Sequence, residues 1–276
     1  MPGPAEAEPR AGRGRSWADL RPRFISAALL APLALACLWV GQGAWAVLVM
    51  LATAGLGLEW ARLCAARPAR LPGLLVPLAA ILPVVAATAG WPRIGVVLLA
   101  AGFALCWAVS RRWVLASGII YVGAAGLALI WLREDAAAGR INVLFLVLVI
   151  WASDIGAYAA GRLLGGPRLA PAISPGKTWS GAAGGLLAAM AVGLAVALAA
   201  PGLPLRTALV AGALGVVSQA GDLLESAIKR RFGVKDTGRL IPGHGGLLDR
   251  LDGVLAAAPA AAVLAIVLGR GVHLWL

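Results

Sequence analysis

Nine apolar runs, each near the length of a bilayer span, set the limits on what this 276-residue chain can fold into. They cover residues 24–40, 44–60, 71–90, 94–110, 113–132, 141–160, 179–200, 205–223 and 254–268. A hydrocarbon core of about 30 Å is crossed by roughly 20 apolar residues in a helix. Inside it every backbone N–H and C=O must find a partner within the chain, which leaves helices as the form such runs take. The segments between runs are too short for a separate soluble domain. An all-α, polytopic membrane protein of about nine transmembrane helices is the expected fold, in keeping with a mean hydropathy of +0.88.

The basic residues orient it. With the N-terminal tail placed in the cytoplasm and the sides alternating, 19 of the 24 Lys and Arg fall on the cytoplasmic side. Lys and Arg favour that side in short loops, so the expected topology is N-in, C-out. A net charge of +12 carried in short loops beside spans fits anionic headgroups, and no nucleic-acid partner is expected. Residues 1–23, rich in Pro, Gly, Ala and Arg, are expected to form a disordered cytoplasmic tail. The first run lacks a small-residue cleavage site after it and reads as an anchor. Cys37, Cys64 and Cys106 have no metal or disulfide spacing and read as small buried hydrophobes.

Chemistry divides the chain unequally. Residues 24–140 read as scaffold: from Phe24 to Leu132 the one acid near a span is Glu59, and Trp60, Trp91, Trp113 and Trp131 stand near run ends as interfacial anchors. From residue 141 on, acids lie inside or close apolar runs, and residues 141–276 read as the catalytic region. Asp154 lies inside an apolar run, where a carboxylate is costly and marks function by default. It reads as a ligand or substrate-positioning group. The loop ISPGKT presents Ser174, Lys177 and Thr178 ahead of a helix start near Trp179, a place suited to phosphate. It is not a Walker A loop, since Pro171 stands where the first glycine belongs.

The densest charge lies in residues 218–253, with five carboxylates and six cations. Asp222 with Glu225, and Asp249 with Asp252, each have the i, i+3 spacing of one helix face. Brought together, two such pairs form a hard oxygen site for Mg²⁺. Two divalent ions about 3.5–4 Å apart can clamp both oxygens of a phosphoryl displacement. Between the pairs, Lys229, Arg230, Arg231, Lys235 and Arg239 suffice to neutralise a triphosphate. His244, flanked by glycines in PGHGG, reads as a substrate contact.

The run SAIKRRFGVKDTGRLIPGHGGLLDRLDG, residues 226–253, resembles the signature of the phosphatidate cytidylyltransferases, or CDP-diacylglycerol synthases. GDLLES, DIGAYAAGR and ISPGKTWSG resemble further segments of that family, so residues 141–253 carry the likeness. Ser180 departs from it, standing where the family often has an acid or amide. The resemblance implies Mg²⁺-dependent transfer of cytidylyl from CTP to phosphatidate, giving CDP-diacylglycerol and pyrophosphate. It implies an enzyme of the cytoplasmic membrane whose site faces the cytosol among membrane lipids, and a homodimer. Carried over residue by residue, Asp222 and Asp249 become the metal ligands, with Asp252 and Asp236 next. Lys229, Arg250 and Lys177 would hold phosphates, and His244 the nucleotide or leaving pyrophosphate.

Two rivals are weaker. A transporter using Asp154 and Asp222 would be expected to show two related halves, and no internal repeat is evident. The Asp-Gly-x-x-Ala-Arg pattern of CDP-alcohol phosphatidyltransferases is absent, since Val254, Leu255, Ala256 and Ala257 follow Asp252 and Gly253.

Overall fold

A computed structural model describes residues 30–66, 70–135, 138–199, 203–238 and 245–268. Nine helices occur among them: α1 (Leu30–Val40), α2 (Gln42–Leu63), α3 (Leu75–Thr88), α4 (Pro92–Ser110), α5 (Trp113–Glu134), α6 (Gly139–Leu164), α7 (Trp179–Ala199), α8 (Pro204–Arg231) and α9 (Leu248–Val267). All but α1 and α3 are long and apolar enough to cross a membrane. The protein is an all-α polytopic membrane protein. In the 71–90 run the turn residues Pro72 and Gly73 delay the helix to Leu75. The resulting 14-residue α3 spans only about 21 Å at 1.5 Å per residue.

The helices form two groups. α3 packs on α2, α4 and α5, while α7 packs between α6 and α8. α9 joins the groups by lying against both α8 and α5. Small residues make the α6–α7 seam close, as is usual where lipid leaves packing as the main attraction. A Cβ built on Gly184 would stand 2.8 Å from the Gly156 carbonyl oxygen. Trp60 is buried and not interfacial: it donates from Nε1 to the Val114 oxygen at 3.0 Å and tilts against Tyr121, with centroids 5.5 Å apart. Trp91 and Trp113 are exposed. Cys64 and Cys106 are buried, and burial pushes the Cys64 thiol up to about 11.

Contacts between loops establish which helix ends lie together. Arg112 donates to the Cys64 carbonyl, Arg231 stacks 5.7 Å from the Trp113 ring, and Arg230 reaches the Ile173 carbonyl. The end of α2, the α4–α5 turn, the α6–α7 connection and the end of α8 therefore share one end of the bundle. At the other end Gln42 donates to the Glu134 carbonyl and Arg133 to that of Leu38.

The α6–α7 connection holds the described strands, β1 (Arg168–Ala170) and β2 (Ser174–Thr178), paired antiparallel with Arg168 opposite Thr178. The sequence reads there as an irregular loop. Its glycines and prolines mask a hairpin closed by the Trp179 N–H bond to the Pro167 oxygen.

Candidate active site

α8 continues past its apolar run for two more turns, so Asp222, Glu225 and Lys229 rise on one helix face. Lys229 Nζ lies 3.0 Å from Glu225 Oε1 and 2.7 Å from Asp249 Oδ1. The other oxygen of Asp249 accepts three bonds, from Thr237 N at 2.9 Å, Thr237 Oγ1 at 3.0 Å and Gly246 N at 2.8 Å. Asp249 stands in the first turn of α9, where a carboxylate is favoured by the exposed N–H groups. It thus ties three pieces of chain together: α8, the Thr237 stem and the entry to α9. Glu225 is buried, and its Oε2 has no partner among the described residues.

One turn back along α8 the surroundings change. Asp222 Oδ2 pairs with Lys177 Nζ at 2.6 Å, and Ser226 Oγ lies 3.4 Å from Oδ1. Lys177 comes from β2, so the hairpin delivers its cation to the α8 carboxylate. Asp154 on α6 and Asp252 on α9 both lie within electrostatic reach of Asp222. Gly221 makes this possible: a Cβ there would stand 2.8 Å from the Asp252 carbonyl oxygen, so α9 passes α8 at near backbone contact. Four segments of the chain (α6, β2, α8 and α9) bring Asp154, Lys177, Asp222 and Asp252 together.

The remaining expected residues take varied places. Thr178 is buried, and its hydroxyl accepts from Gly181 N at 3.1 Å, the bond of a helix N-cap. Ser180, the departure noted above, lies 3.0 Å from that hydroxyl and donates to the Gly165 carbonyl. Ser174 is half-buried in β2, opposite Ala170. Arg230 is exposed and bonds backbone oxygens of Ile173 and Val234. Asp236 is exposed near Gly245, and Arg250 is exposed in the first turn of α9. His244 and Arg239 lie outside the described residues.

Sequence reasoning missed two residues from the region read as scaffold. Glu59, fully buried in α2, accepts from Leu247 N at 2.9 Å and Leu248 N at 2.8 Å. The signal was present, because the cost of a carboxylate in an apolar run that singles out Asp154 applies equally to Glu59. Tyr121 on α5 has a buried hydroxyl without a partner among the described residues, within electrostatic reach of Glu225, Asp252 and Asp222. One tyrosine in an apolar helix gives no such signal.

Comparison with known proteins decides the family. The model of the cytidylyltransferase family matches residues 21–268. The chain belongs to this family. A Brucella suis phosphatidate cytidylyltransferase is 42% identical over 252 residues, covering 87% of this chain and 91% of the relative. One from Pseudomonas aeruginosa is 37% identical over 269 residues, covering 91% and 99%. One from Staphylococcus saprophyticus is 40% identical over 153 residues, 54% of this chain. The likeness therefore reaches well beyond residues 141–253 into the first helices. The chain is an enzyme of the nucleotidyltransferase kind.

Among the described residues, no three carboxylate, imidazole or thiol side chains converge closely enough to cage a metal ion. Mg²⁺ keeps several waters and is commonly held by one or two carboxylates together with substrate phosphates. Asp222, with Asp252 and Asp154 in reach, offers hard oxygen donors of that sort.

Proposed function

We propose that this cytidylyltransferase transfers cytidylyl from CTP to phosphatidate, yielding CDP-diacylglycerol and pyrophosphate. The observation that carries the reading is the meeting of Asp154, Asp222 and Asp252 with Lys177 at one end of a membrane bundle. A lipid phosphate and a soluble nucleotide can both reach such a place. The names of relatives matching most of the chain support it.

The nucleophile is a phosphate monoester, largely dianionic near neutral pH because its second pKa is about 6. Its oxygen attacks the α-phosphorus of CTP, the α–β phosphoanhydride bond breaks, and pyrophosphate carries away the electron pair. No general base is required. The barrier is repulsion between anions, so positioning and charge stabilisation supply the catalysis. When bound, Mg²⁺ would neutralise phosphate charge, and Asp222 with Asp252 would hold it.

Lys177 and Arg250 would contact phosphates, with Ser174, Arg230 and Asp154 lining the approach and Asp236 and His244 on the nucleotide side. Lys229 and Asp249 would fix the frame from which α8 and α9 present these groups. We place the site at the cytosolic face of the cytoplasmic membrane, since the shared helix ends carry most of the basic residues. A homodimer is the assembly that the resemblance implies.

The test is radiolabelled CTP with phosphatidate in detergent micelles, with and without Mg²⁺. Label entering the lipid phase only when phosphatidate and Mg²⁺ are both present is the expected result. Label that stays aqueous would remove the proposal.

A further inference from the structure

Glu59 belongs to α2, and 188 positions separate it from Leu247, whose N–H it accepts through Oε1 at 2.9 Å. Its Oε2 accepts from Leu248 N at 2.8 Å, and the side chain is fully buried. A buried carboxylate with two backbone donors is strongly held, because an unpaired buried charge is costly. The same carboxylate also sets the space around two glycines. A Cβ on Gly238 would meet Glu59 Oε1 at 2.8 Å, with its Cδ and Cγ next nearest. A Cβ on Gly246 would meet the Thr237 hydroxyl first, then Glu59 Oε2 at 2.6 Å and the Gly238 nitrogen at 2.9 Å. Two stretches of chain, Thr237–Gly238 and Gly246–Leu248, therefore meet on this one side chain.

Asp249 bridges the same two stretches through Thr237 and Gly246, and it holds Lys229 besides. The two carboxylates work from opposite sides: Glu59 from the first group of helices, Asp249 from α9. We propose that Glu59 is a positioning residue for cytidylyl transfer. It fixes the stems at 237–238 and 246–248, so that Asp249 and Lys229 hold α8 and α9 in the spacing the reacting groups need. This deepens the functional reading above and rests on it. Glu59 touches no reacting atom. Its effect passes through the peptide N–H groups at the start of α9.

The experiment compares wild type with Glu59→Gln, Glu59→Asp, Gly238→Ala and the Glu59→Asp/Gly238→Ala pair, purified in one detergent. Amide hydrogen exchange is the first readout and needs no activity. Exchange at Leu247 and Leu248 should rise at least tenfold in Glu59→Gln while α7 is unchanged. Kinetics are the second. Glu59→Gln should lower kcat at least tenfold with KM for CTP within about threefold. The pair supplies the sharpest arm: a shortened carboxylate vacates the space an alanine at 238 needs. The pair should therefore retain at least threefold more activity than the product of the two single losses. Unchanged exchange at 247–248, or exchange raised equally throughout the bundle, overturns the positioning role. So do raised local exchange with wild-type kcat, and strictly multiplicative losses in the pair. If the wild type itself transfers no cytidylyl, the functional reading fails, and the exchange arm still decides whether Glu59 holds the stems.

Discussion

Asp249 accepts four hydrogen bonds from its own chain and leaves 10% of its side chain exposed, while Asp222 has one short ion pair and one long bond from Ser226 and leaves 38% exposed. The two carboxylates stand on adjacent helices within the same charged end of the bundle. Around Asp249 the fold supplies a partner for each oxygen, and nothing further is called for. Around Asp222 it gathers like charge, since Asp154 and Asp252 both lie within its electrostatic reach, and Lys177 comes from a hairpin, not from the helix core. Gathered like charge raises free energy unless something of opposite sign arrives. In the proposed reading, the satisfied carboxylate would build the site, and the crowded one is where a cation and phosphate would bind.

Replacing each with its amide should separate these roles. Asp222→Asn is expected to lower cytidylyl transfer roughly 10²–10³-fold, the range for loss of one preorganised electrostatic group. It should also raise the Mg²⁺ needed for half-maximal rate, with thermal unfolding close to wild type. Asp249→Asn should act first on stability, by about 3 kcal/mol, because it strips Lys229 of a largely buried partner. Thermal unfolding in detergent and a Mg²⁺ titration on the folded fraction make the comparison. If Asp222→Asn unfolds the protein as readily as Asp249→Asn, the two carboxylates do not divide the roles in this way.

A smaller effect tests how the crowding is built. Gly221→Ala would bring a methyl within 2.8 Å of the Asp252 carbonyl oxygen and so push α9 from α8 beside Asp222. Overpacking of this kind costs about 1–3 kcal/mol, and a loss of about tenfold in activity per folded molecule should accompany it. Gly193→Ala is the control. It is as tight, 2.6 Å from the Thr207 oxygen, but lies on α7 against the start of α8, far along the helix from Asp222. It should cost similar stability and leave specific activity unchanged. Equal activity loss in both would mean that bundle packing in general, and not the α8–α9 spacing at Asp222, sets the rate.

The parts of this arrangement that the sequence discloses are those written in local spacing. Apolar run length gives the helices, and the i, i+3 pairs give the faces of α8 and α9. Lys and Arg counts group the loops that the structure brings to one end. What it conceals depends on long-range geometry. No spacing shows that Glu59 meets Leu247, or that Lys177 selects Asp222 over Asp154. The Asp249 and Lys229 pairing was hidden for a different reason. Both side chains carry the chemistry of ligand binders, and only their distances reveal that they bind each other. Thr178 is similar: a threonine beside a lysine in a Gly-Pro loop reads as a phosphate contact, and only distances reveal its cap bond from Gly181 N.

Thr178 supplies the smallest and most discriminating change. Its hydroxyl accepts from Gly181 N and lies 3.0 Å from Ser180 Oγ, and the residue is buried. Those bonds are the duties of a cap at the start of α7, and they orient β2 so that its neighbour Lys177 points to Asp222. Thr178→Val keeps the shape and the strand preference while deleting the oxygen. Loss of a cap costs about 1 kcal/mol, which thermal unfolding should register. Turnover and KM for CTP should stay within about threefold of wild type, because Lys177 remains on the same strand. A KM raised tenfold or more, with stability unchanged, would show the hydroxyl serving substrate and would move the binding surface from the Asp222 carboxylate into the hairpin itself.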